Sequence, residues 1–289
     1  MLPVVLSFSE KLLVYNQVPQ SSVAGIQKYN VLPASKNIQV PIISAKSILV
    51  KDLSTNSVLY QKDASTKVPI ASVTKIMTAL LGSGYFKDNQ VLTVADSANI
   101  SGAKVGLTRG ESLTFRSLLY AMLLNSGNDA AFAIAENYPG GVFGFVSAMN
   151  KKAIELNLPN THFDNPAGFD SPNHYSSAYD IATITQEALK NYQLSKVFAT
   201  KDTEILSIDK KYKYPLHNLN ILLSKVSGVL GVKTGYTQGA KENLVTLVAR
   251  NGHKLLFVVL NSDDRFGEST KLIEWAYSNF SWPDFEIVN

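Results

Sequence analysis

The hydrophobic pattern of the chain becomes regular at about residue 47. Two apolar runs, residues 48–53 and 58–61, flank a Ser-Thr-Asn-Ser segment, which is typical of a β-hairpin. Residues 72–81 carry apolar side chains at helical spacing, and the Gly-Ser-Gly segment that follows them indicates the end of a helix. The pattern therefore predicts a hairpin followed by a buried helix.

Helical spacing dominates the middle of the chain. The further predicted helices span residues 115–124, 128–138, 142–157, 177–190 and 268–279. Near the end, two runs rich in apolar and β-branched residues, 244–250 and 254–260, are joined by Asn-Gly, the strongest two-residue signal for a hairpin. Strands therefore lie at both ends of the domain. This order favours an α+β fold whose terminal strands share one antiparallel sheet.

Residues 1–45 show no such regularity. Short apolar stretches alternate there with Pro, Gln, Ser and Asn, so we interpret them as an extended arm or linker and residues 46–289 as one domain. The apolar start lacks a basic region and reaches Glu10 and Lys11 early, unlike an intact signal peptide. No apolar run approaches the roughly 20 residues that span a membrane. Either export information is missing from this sequence, or the protein is not exported.

Composition narrows the classes of function. Of the 289 residues, 45% are hydrophobic and 17% are charged, as in ordinary globular proteins. The net charge is +4, but the basic residues are scattered, and the short basic cluster at residues 210–213 is more typical of a solvated turn than of a nucleic-acid site. Cysteine is absent and the histidines lack metal-ligand spacing. We therefore expect no nucleic-acid partner, no metal and no other cofactor.

A Ser-x-x-Lys pattern opens the first predicted helix, at Ser72 and Lys75. Side chains at positions i and i+3 of a helix lie on one face, about 5–6 Å apart at Cβ, so the amine of Lys75 would reach the hydroxyl of Ser72 and take its proton. The pattern recurs at Ser101 and Ser207, but only Ser72 opens a strongly apolar helix. Taken alone, the pattern favours the interpretation of Ser72 as a helix N-cap.

Two later segments carry compatible chemistry. Ser126-Gly-Asn128 lies between two predicted helices, where its hydroxyl and amide would project into a cleft; a turn or cap is the alternative. Lys233-Thr-Gly235 lies on or at the end of a predicted strand, with a positive charge, a hydroxyl and a glycine that lets a ligand approach the backbone. A surface strand end with a turn glycine is the alternative there.

The order of the three segments resolves these alternatives. Ser-x-x-Lys, Ser-Asp-Asn and Lys-Thr-Gly form the nucleophile set of penicillin-binding proteins and class A β-lactamases. The chain resembles the low-molecular-mass D-alanyl-D-alanine carboxypeptidases from about residue 47 to about residue 280, and Ser-Gly-Asn is the usual second motif of that subgroup. The matching stretches start at Pro69, Asn125, Thr161, His174 and Gly231.

The resemblance implies a transpeptidase/β-lactamase-like fold, an extracytoplasmic location in the bacterial cell envelope, and peptidoglycan stem peptides as substrate. It also implies β-lactams as inhibitors that acylate the serine. Larger relatives carry a β-rich second domain and a membrane-associating C-terminal helix, for which the sequence after Trp282 leaves no room. Membrane association would thus require a segment that this chain lacks.

The resemblance also implies roles for individual catalytic residues. Ser72 is the expected nucleophile and Lys75 its base. Ser126 is the expected proton-relay hydroxyl, and Asn128 would hold both the substrate amide and Lys75. Lys233 would contribute a positive charge and relay contacts.

A second set of residues is implied in substrate binding. Thr234 would bind the terminal carboxylate together with Arg265, which rests on a looser match. The backbone N–H groups of Ser72 and Tyr236 would form the oxyanion hole, with Gly235 allowing the close approach of substrate. Loss of one donor of that type typically slows a reaction by about 10²–10³.

Three alternatives stay open. A β-lactamase needs a deacylating base, and the one candidate, Glu155, falls inside a helical pattern instead of a loop. A non-catalytic peptidoglycan-binding protein would not need the chemical groups that all three motifs retain. The sequence does not distinguish carboxypeptidase action from endopeptidase action on cross-links.

Overall fold

The computed structural model describes residues 19–23, 26–29, 32–283 and 286–288. The strands are β1 (Pro19–Val23), β2 (Ile26–Tyr29), β3 (Ala34–Ser35), β4 (Ser47–Asp52), β5 (Val58–Lys62), β6 (Val91–Thr93), β7 (Ser112–Thr114), β8 (Asp202–Leu206), β9 (Lys213–His217), β10 (Val229–Thr237), β11 (Lys241–Arg250), β12 (His253–Ser262), β13 (Phe280–Ser281) and β14 (Glu286–Val288). The α-helices are α1 (Lys75–Tyr85), α2 (Phe115–Leu124), α3 (Asn128–Glu136), α4 (Gly141–Glu155), α5 (Ala178–Leu189), α6 (Tyr192–Ala199), α7 (Leu222–Lys225) and α8 (Arg265–Asn279).

A five-stranded antiparallel sheet, in the order β10-β11-β12-β4-β5, forms the centre of the protein. It joins the hairpin near the start of the domain to the hairpin at its end, which confirms the predicted antiparallel sheet. Successive side chains of a strand face opposite sides of the sheet. In β12, Leu256 and Val258 therefore pack against the helices between β5 and β10, whereas Phe257 and Val259 pack against α8. Burial on both faces explains why these strands are continuously apolar.

Helix α1 lies at the centre of the helical cluster, in contact with α2, α3, α4 and α5. The helix was predicted to end at the Gly-Ser-Gly segment, and this prediction is wrong, because α1 continues to Tyr85. A Cβ atom on Gly82 would lie 3.0 Å from the ring of Phe115. Gly82 thus lets α2 pack closely against α1, and the glycine reflects packing instead of termination.

The sequence pattern missed several short elements: the antiparallel pair β6–β7, the hairpin β8–β9, helix α6, and the single turn α7. Within the region predicted to be an arm, residues 1–18, 24–25 and 30–31 lie outside the described residues. Strands β1, β2 and β14 form a small antiparallel sheet, and β3 pairs with β13. The division between an arm and a domain at residue 45 stays a prediction. In the described part of the chain, no helix has both the length and the apolar character needed to cross a membrane.

Candidate active site

Ser72 and Lys75 lie where a 3₁₀ turn runs into a helix. Ser72 belongs to the turn Ala71–Thr74, and Lys75 is the first residue of α1. Side chains three residues apart eclipse each other in a 3₁₀ turn, and the Nζ atom of Lys75 donates a hydrogen bond of 2.8 Å to Oγ of Ser72. The N-cap position of the turn is Ile70, so Ser72 is not the N-cap.

Tight backbone contacts fix the position of Ser72. Ala71 adopts a left-handed conformation, with φ of 47°, and the loop at Gly168 lies against its carbonyl group. A Cβ atom on Gly168 would lie 1.9 Å from that carbonyl oxygen, and one on Gly235 would lie 3.1 Å from the backbone nitrogen of Ser72. Only glycine at these two positions lets three segments of backbone meet around the serine.

Gly168→Ala is expected to destabilise the protein more than Gly110→Ala. Both glycines have positive φ, so alanine is strained by about 1–2 kcal/mol at either site. Only at Gly168 does the new methyl group also collide with backbone, which adds about 1–3 kcal/mol. Urea denaturation of the two variants measures the difference in the free energy of unfolding. Equal destabilisation would show that the contact with Ala71 is not tight.

Lys75 is completely buried and has three hydrogen-bond partners. Besides Ser72, its Nζ atom donates to Oδ1 of Asn128 at 2.8 Å and to the carbonyl oxygen of Ala167 at 2.7 Å. A neutral amine has two N–H donors and one lone pair, so it can donate to these two oxygens and direct the lone pair at Ser72. Burial, with a smaller contribution from the positive charge of Lys233, holds the pKa of Lys75 well below its usual value.

Ser126 and Lys233 form a second hydroxyl–amine pair. Helix α2 ends at Leu124, and Ser126 then adopts a left-handed conformation, with φ of 60°. The Nζ atom of Lys233, on β10, donates to Oγ of Ser126 at 3.1 Å and to the carbonyl oxygen of Thr234 at 2.9 Å. Burial, and then the positive charge of Arg265, lowers the pKa of Lys233 to about 7. The two lysines thus each contact one serine hydroxyl.

The remaining predicted substrate residues lie on β10 and at the start of α8. Thr234 is buried, whereas the Tyr236 side chain is mostly exposed. Arg265 is the first residue of α8, and its guanidinium donates to the carbonyl oxygen of Gly235 at 3.0 Å, which brings it beside the Lys-Thr-Gly segment. All nine predicted site residues therefore lie around one region, between β10 and the starts of α1 and α3.

Two groups that support this site were not predicted from the sequence: a backbone carbonyl group and a buried histidine. The carbonyl oxygen of Ala167 contacts Lys75 but carries no side-chain signal. His174, interpreted only as structural or surface, is buried; its Nδ1 accepts from the N–H of Asp164, so Nε2 donates to Oγ1 of Thr74 at 2.7 Å. That hydroxyl donates to the carbonyl oxygen of Ala71. Burial lowers the pKa of His174 to about 4, which keeps it neutral and structural.

The position of Glu155 confirms the prediction that it belongs to a helix. It is the last residue of α4, is exposed, and pairs with Lys152 one turn earlier. The side chain of His162 is partly exposed and that of His217 is exposed, and each pairs with an aspartate. None of these three side chains hydrogen-bonds to Ser72, Lys75 or their partners.

Known proteins resemble the chain in both sequence and structure. The family model for D-alanyl-D-alanine carboxypeptidases matches residues 34–264. The D-alanyl-D-alanine carboxypeptidase DacF of Bacillus subtilis is 37% identical over 245 residues, which are 82% of this chain and 63% of that protein. A D-alanyl-D-alanine endopeptidase of Pseudomonas aeruginosa is 31% identical over 240 residues, which are 81% of this chain and 77% of that protein.

The fold has a counterpart among solved structures. The crystal structure of the Streptomyces K15 DD-transpeptidase matches with a TM-score of 0.79 and 31% identity, covering 83% of this chain and all of that one. The likeness confirms the expected transpeptidase-like α+β fold. Because the family model spans most of the described chain and contains all three motifs, the chain belongs to the D-alanyl-D-alanine carboxypeptidase family of low-molecular-mass penicillin-binding proteins.

Proposed function

We propose that the protein is a serine D,D-carboxypeptidase that removes the terminal D-Ala from peptidoglycan stem peptides through an ester on Ser72. The observation that carries this proposal is the buried amine of Lys75, 2.8 Å from Oγ of Ser72. An amine with a lowered pKa beside a hydroxyl is the arrangement that activates a serine nucleophile. Family membership supports the reaction class.

The proposed reaction has two halves. Lys75 takes the proton of Ser72 as Oγ attacks the carbonyl carbon of the penultimate D-Ala, and the N–H groups of Ser72 and Tyr236 stabilise the oxyanion. The C–N bond then breaks, and Ser126, hydrogen-bonded to Lys233, passes a proton to the leaving amine. Water enters after D-Ala leaves and attacks the ester, giving a proton to Lys233 through Ser126, while Lys75 returns its proton to Oγ of Ser72. Asn128 holds the substrate amide and orients Lys75.

Recognition of the terminal carboxylate is assigned to the β10 segment. The amine of Lys233 contacts the carbonyl oxygen of Thr234, and the guanidinium of Arg265 contacts that of Gly235, so two basic groups lie beside this segment. Charge-assisted hydrogen bonds to a carboxylate are about twice as strong as neutral ones. A free C-terminal D-Ala should therefore bind better than its amide.

The location and the whole activity are also proposals. The chain spans 63% of the length of the Bacillus relative. Because relatives are named for acting on D-alanyl-D-alanine bonds, we infer that this protein acts outside the cytoplasm, on the cell envelope. Its partners would be stem peptides, with β-lactams as inhibitors.

The contacts of Lys75 favour a peptidase over a β-lactamase. Its third partner is the backbone carbonyl group of Ala167, which cannot act as a base for water. Glu155, the glutamate considered for that role, is exposed and paired with a lysine. Since a positioned base contributes about 10²–10⁴ in rate, an ester formed with penicillin should hydrolyse slowly.

The expected result with benzylpenicillin is a one-to-one adduct that persists for minutes or longer. The opened β-lactam stays tethered and blocks the approach of water, whereas a peptide substrate loses D-Ala. Intact-protein mass spectrometry detects the adduct, and peptide mapping should place it on the segment that contains Ser72. Rapid loss of the drug without an adduct would instead support a β-lactamase, and neither event in folded protein would support a non-catalytic role.

The same preparation decides between carboxypeptidase and endopeptidase action. A pentapeptide ending in D-Ala-D-Ala, its C-terminal amide and a cross-linked muropeptide dimer are digested side by side. We expect release of D-Ala from the acid, with a lower kcat/KM for the amide. Faster cleavage of the dimer than of the pentapeptide would contradict the proposed carboxypeptidase activity. It would instead indicate endopeptidase activity, for which the Pseudomonas relative is named.

A further inference from the structure

The glycine of Ser-Gly-Asn is explained by space instead of by backbone conformation. Gly127 has φ of −57° and ψ of 114°, values that other residues adopt without strain. A Cβ atom there would lie 2.9 Å from Oδ1 of Asp129 and 3.1 Å from the carbonyl oxygen of Ala121. The carboxylate of Asp129 therefore fills the space that a side chain at position 127 would need.

Asp129 uses that carboxylate to hold a loop. It is fully buried at the second position of α3, and both oxygens accept hydrogen bonds from backbone N–H groups. The donors in the loop are Val105, Gly106 and Leu107, at 2.9–3.2 Å. The helix contributes the N–H of Ala130, at 2.9 Å. A buried carboxylate needs such donors, and a loop held by three of them is strongly restrained.

The adjacent residue holds the other end of the same loop. The Nδ2 atom of Asn128 donates to the carbonyl oxygen of Ser101 at 2.9 Å, and its backbone N–H donates to that of Ala103 at 2.7 Å. Oδ1 of Asn128 accepts from Lys75. The orientation of the amide that contacts Lys75 thus depends on a loop that Asp129 fixes.

We propose that Asp129 is a positioning residue for the amide of Asn128, the side chain that precedes it on α3. It holds residues 105–107 against α3 and so fixes the amide of Asn128 beside Lys75. Gly127 belongs to the same arrangement, because a side chain at position 127 would compete with the carboxylate of Asp129 for one space. The measurement of acylation rates depends on the proposed function, whereas the measurement of amide hydrogen exchange does not.

The charge of Asp129 gives the proposal a second readout. The charged and titratable groups that act on Lys75 are Lys233 on β10, Asp129 on α3 and His174 in the loop before α5. Among them the negative charge of Asp129 raises the pKa of Lys75, against burial and Lys233. Neutralising Asp129 lowers the pKa of Lys75. Acylation, which needs a neutral amine, then persists to lower pH.

The test compares Asp129→Asn with Glu136→Gln. Glu136 lies on the same helix and accepts from the backbone N–H groups of Ala95 and Ser97, away from Lys75. The rate of acylation by benzylpenicillin is measured from acid to neutral pH. For Asp129→Asn we expect a plateau about tenfold to a hundredfold lower, as for a catalytic group displaced by about 1 Å, and an acid limb moved to lower pH. The control should keep both features of the wild type.

Exchange of amide hydrogens provides a readout that does not depend on acylation. In Asp129→Asn the amides of residues 105–107 should exchange at least about tenfold faster, because they lose charge-assisted bonds. If wild-type protein forms no adduct, the proposed function fails, while this comparison still decides whether Asp129 holds the loop. Unchanged exchange, or slower acylation with an unmoved acid limb, would overturn the assignment.

A crossed pair of substitutions tests the shared space. Gly127→Asp alone should slow acylation, because its side chain collides with Asp129, and Asp129→Ala alone should slow it by loss of the loop contact. The double variant has a single carboxylate in this space, at position 127. We expect the double variant to acylate faster than either single variant. A double variant no faster than the slower single variant would show that the two side chains do not compete for this space.

Discussion

Ser72→Ala is expected to abolish acylation by benzylpenicillin and to lower the release of D-Ala by about 10⁶, or below detection. Loss of a nucleophile that acts as a unit with its base has an effect of that order. Alanine fits the turn, since Oγ of Ser72 is contacted by Lys75 and caps no helix. Intact-protein mass and D-Ala release measure the two losses.

A matched control comes from another Ser-x-x-Lys segment. Ser207 precedes Lys210 at the same spacing, but its hydroxyl donates to Asp209 in the hairpin loop after β8. Ser207→Ala should acylate like the wild type. If an adduct forms on Ser72→Ala, or if none forms on Ser207→Ala, the nucleophile is not Ser72 alone.

The fold was predictable from sequence wherever burial produces a regular spacing of apolar residues. The strands on either side of Asn251-Gly252 and the helix that contains Phe115 are fully buried on at least one face, so their apolar patterns are strong. The β8–β9 hairpin escaped because its strands alternate exposed and partly buried residues with only one buried position each. The end of α1 was predicted wrongly because the role of Gly82 is not visible in the sequence. A glycine that makes room for an aromatic ring cannot be distinguished there from a glycine that ends a helix.

The site was predictable as far as side chains carry its chemistry. The three motifs contain the hydroxyls and amines that the structure brings together, and their order along the chain indicated a common site. Groups that act through the backbone left no such signal. The carbonyl oxygen of Ala167 and the left-handed conformation of Ala71 depend on how Gly168 packs against the turn, which is a property of the tertiary structure.

Lys75→Ala is expected to slow acylation by about 10²–10⁴, the contribution of a general base. The wild-type rate should rise with pH as Lys75 loses its proton, because only the neutral amine can accept one from Ser72. It should fall again above about pH 7, where Lys233 becomes neutral and no longer attracts a carboxylate. Because the two lysines interact, both limbs are properties of the pair. The variant should lose the rising limb, which a pH series of acylation rates measures.

The control for Lys75→Ala is a second lysine whose pKa burial also lowers. Lys51, on β4, donates from Nζ to Oε1 of Gln186 on α5 at 2.8 Å. Its side chain hydrogen-bonds to none of the three motifs. Lys51→Ala removes a comparable cation and should keep both limbs of the wild-type profile. If Lys75→Ala retains the rising limb, the titrating base is another group. If Lys51→Ala loses it, the effect reflects charge or stability, and Lys75 is not the base that activates Ser72.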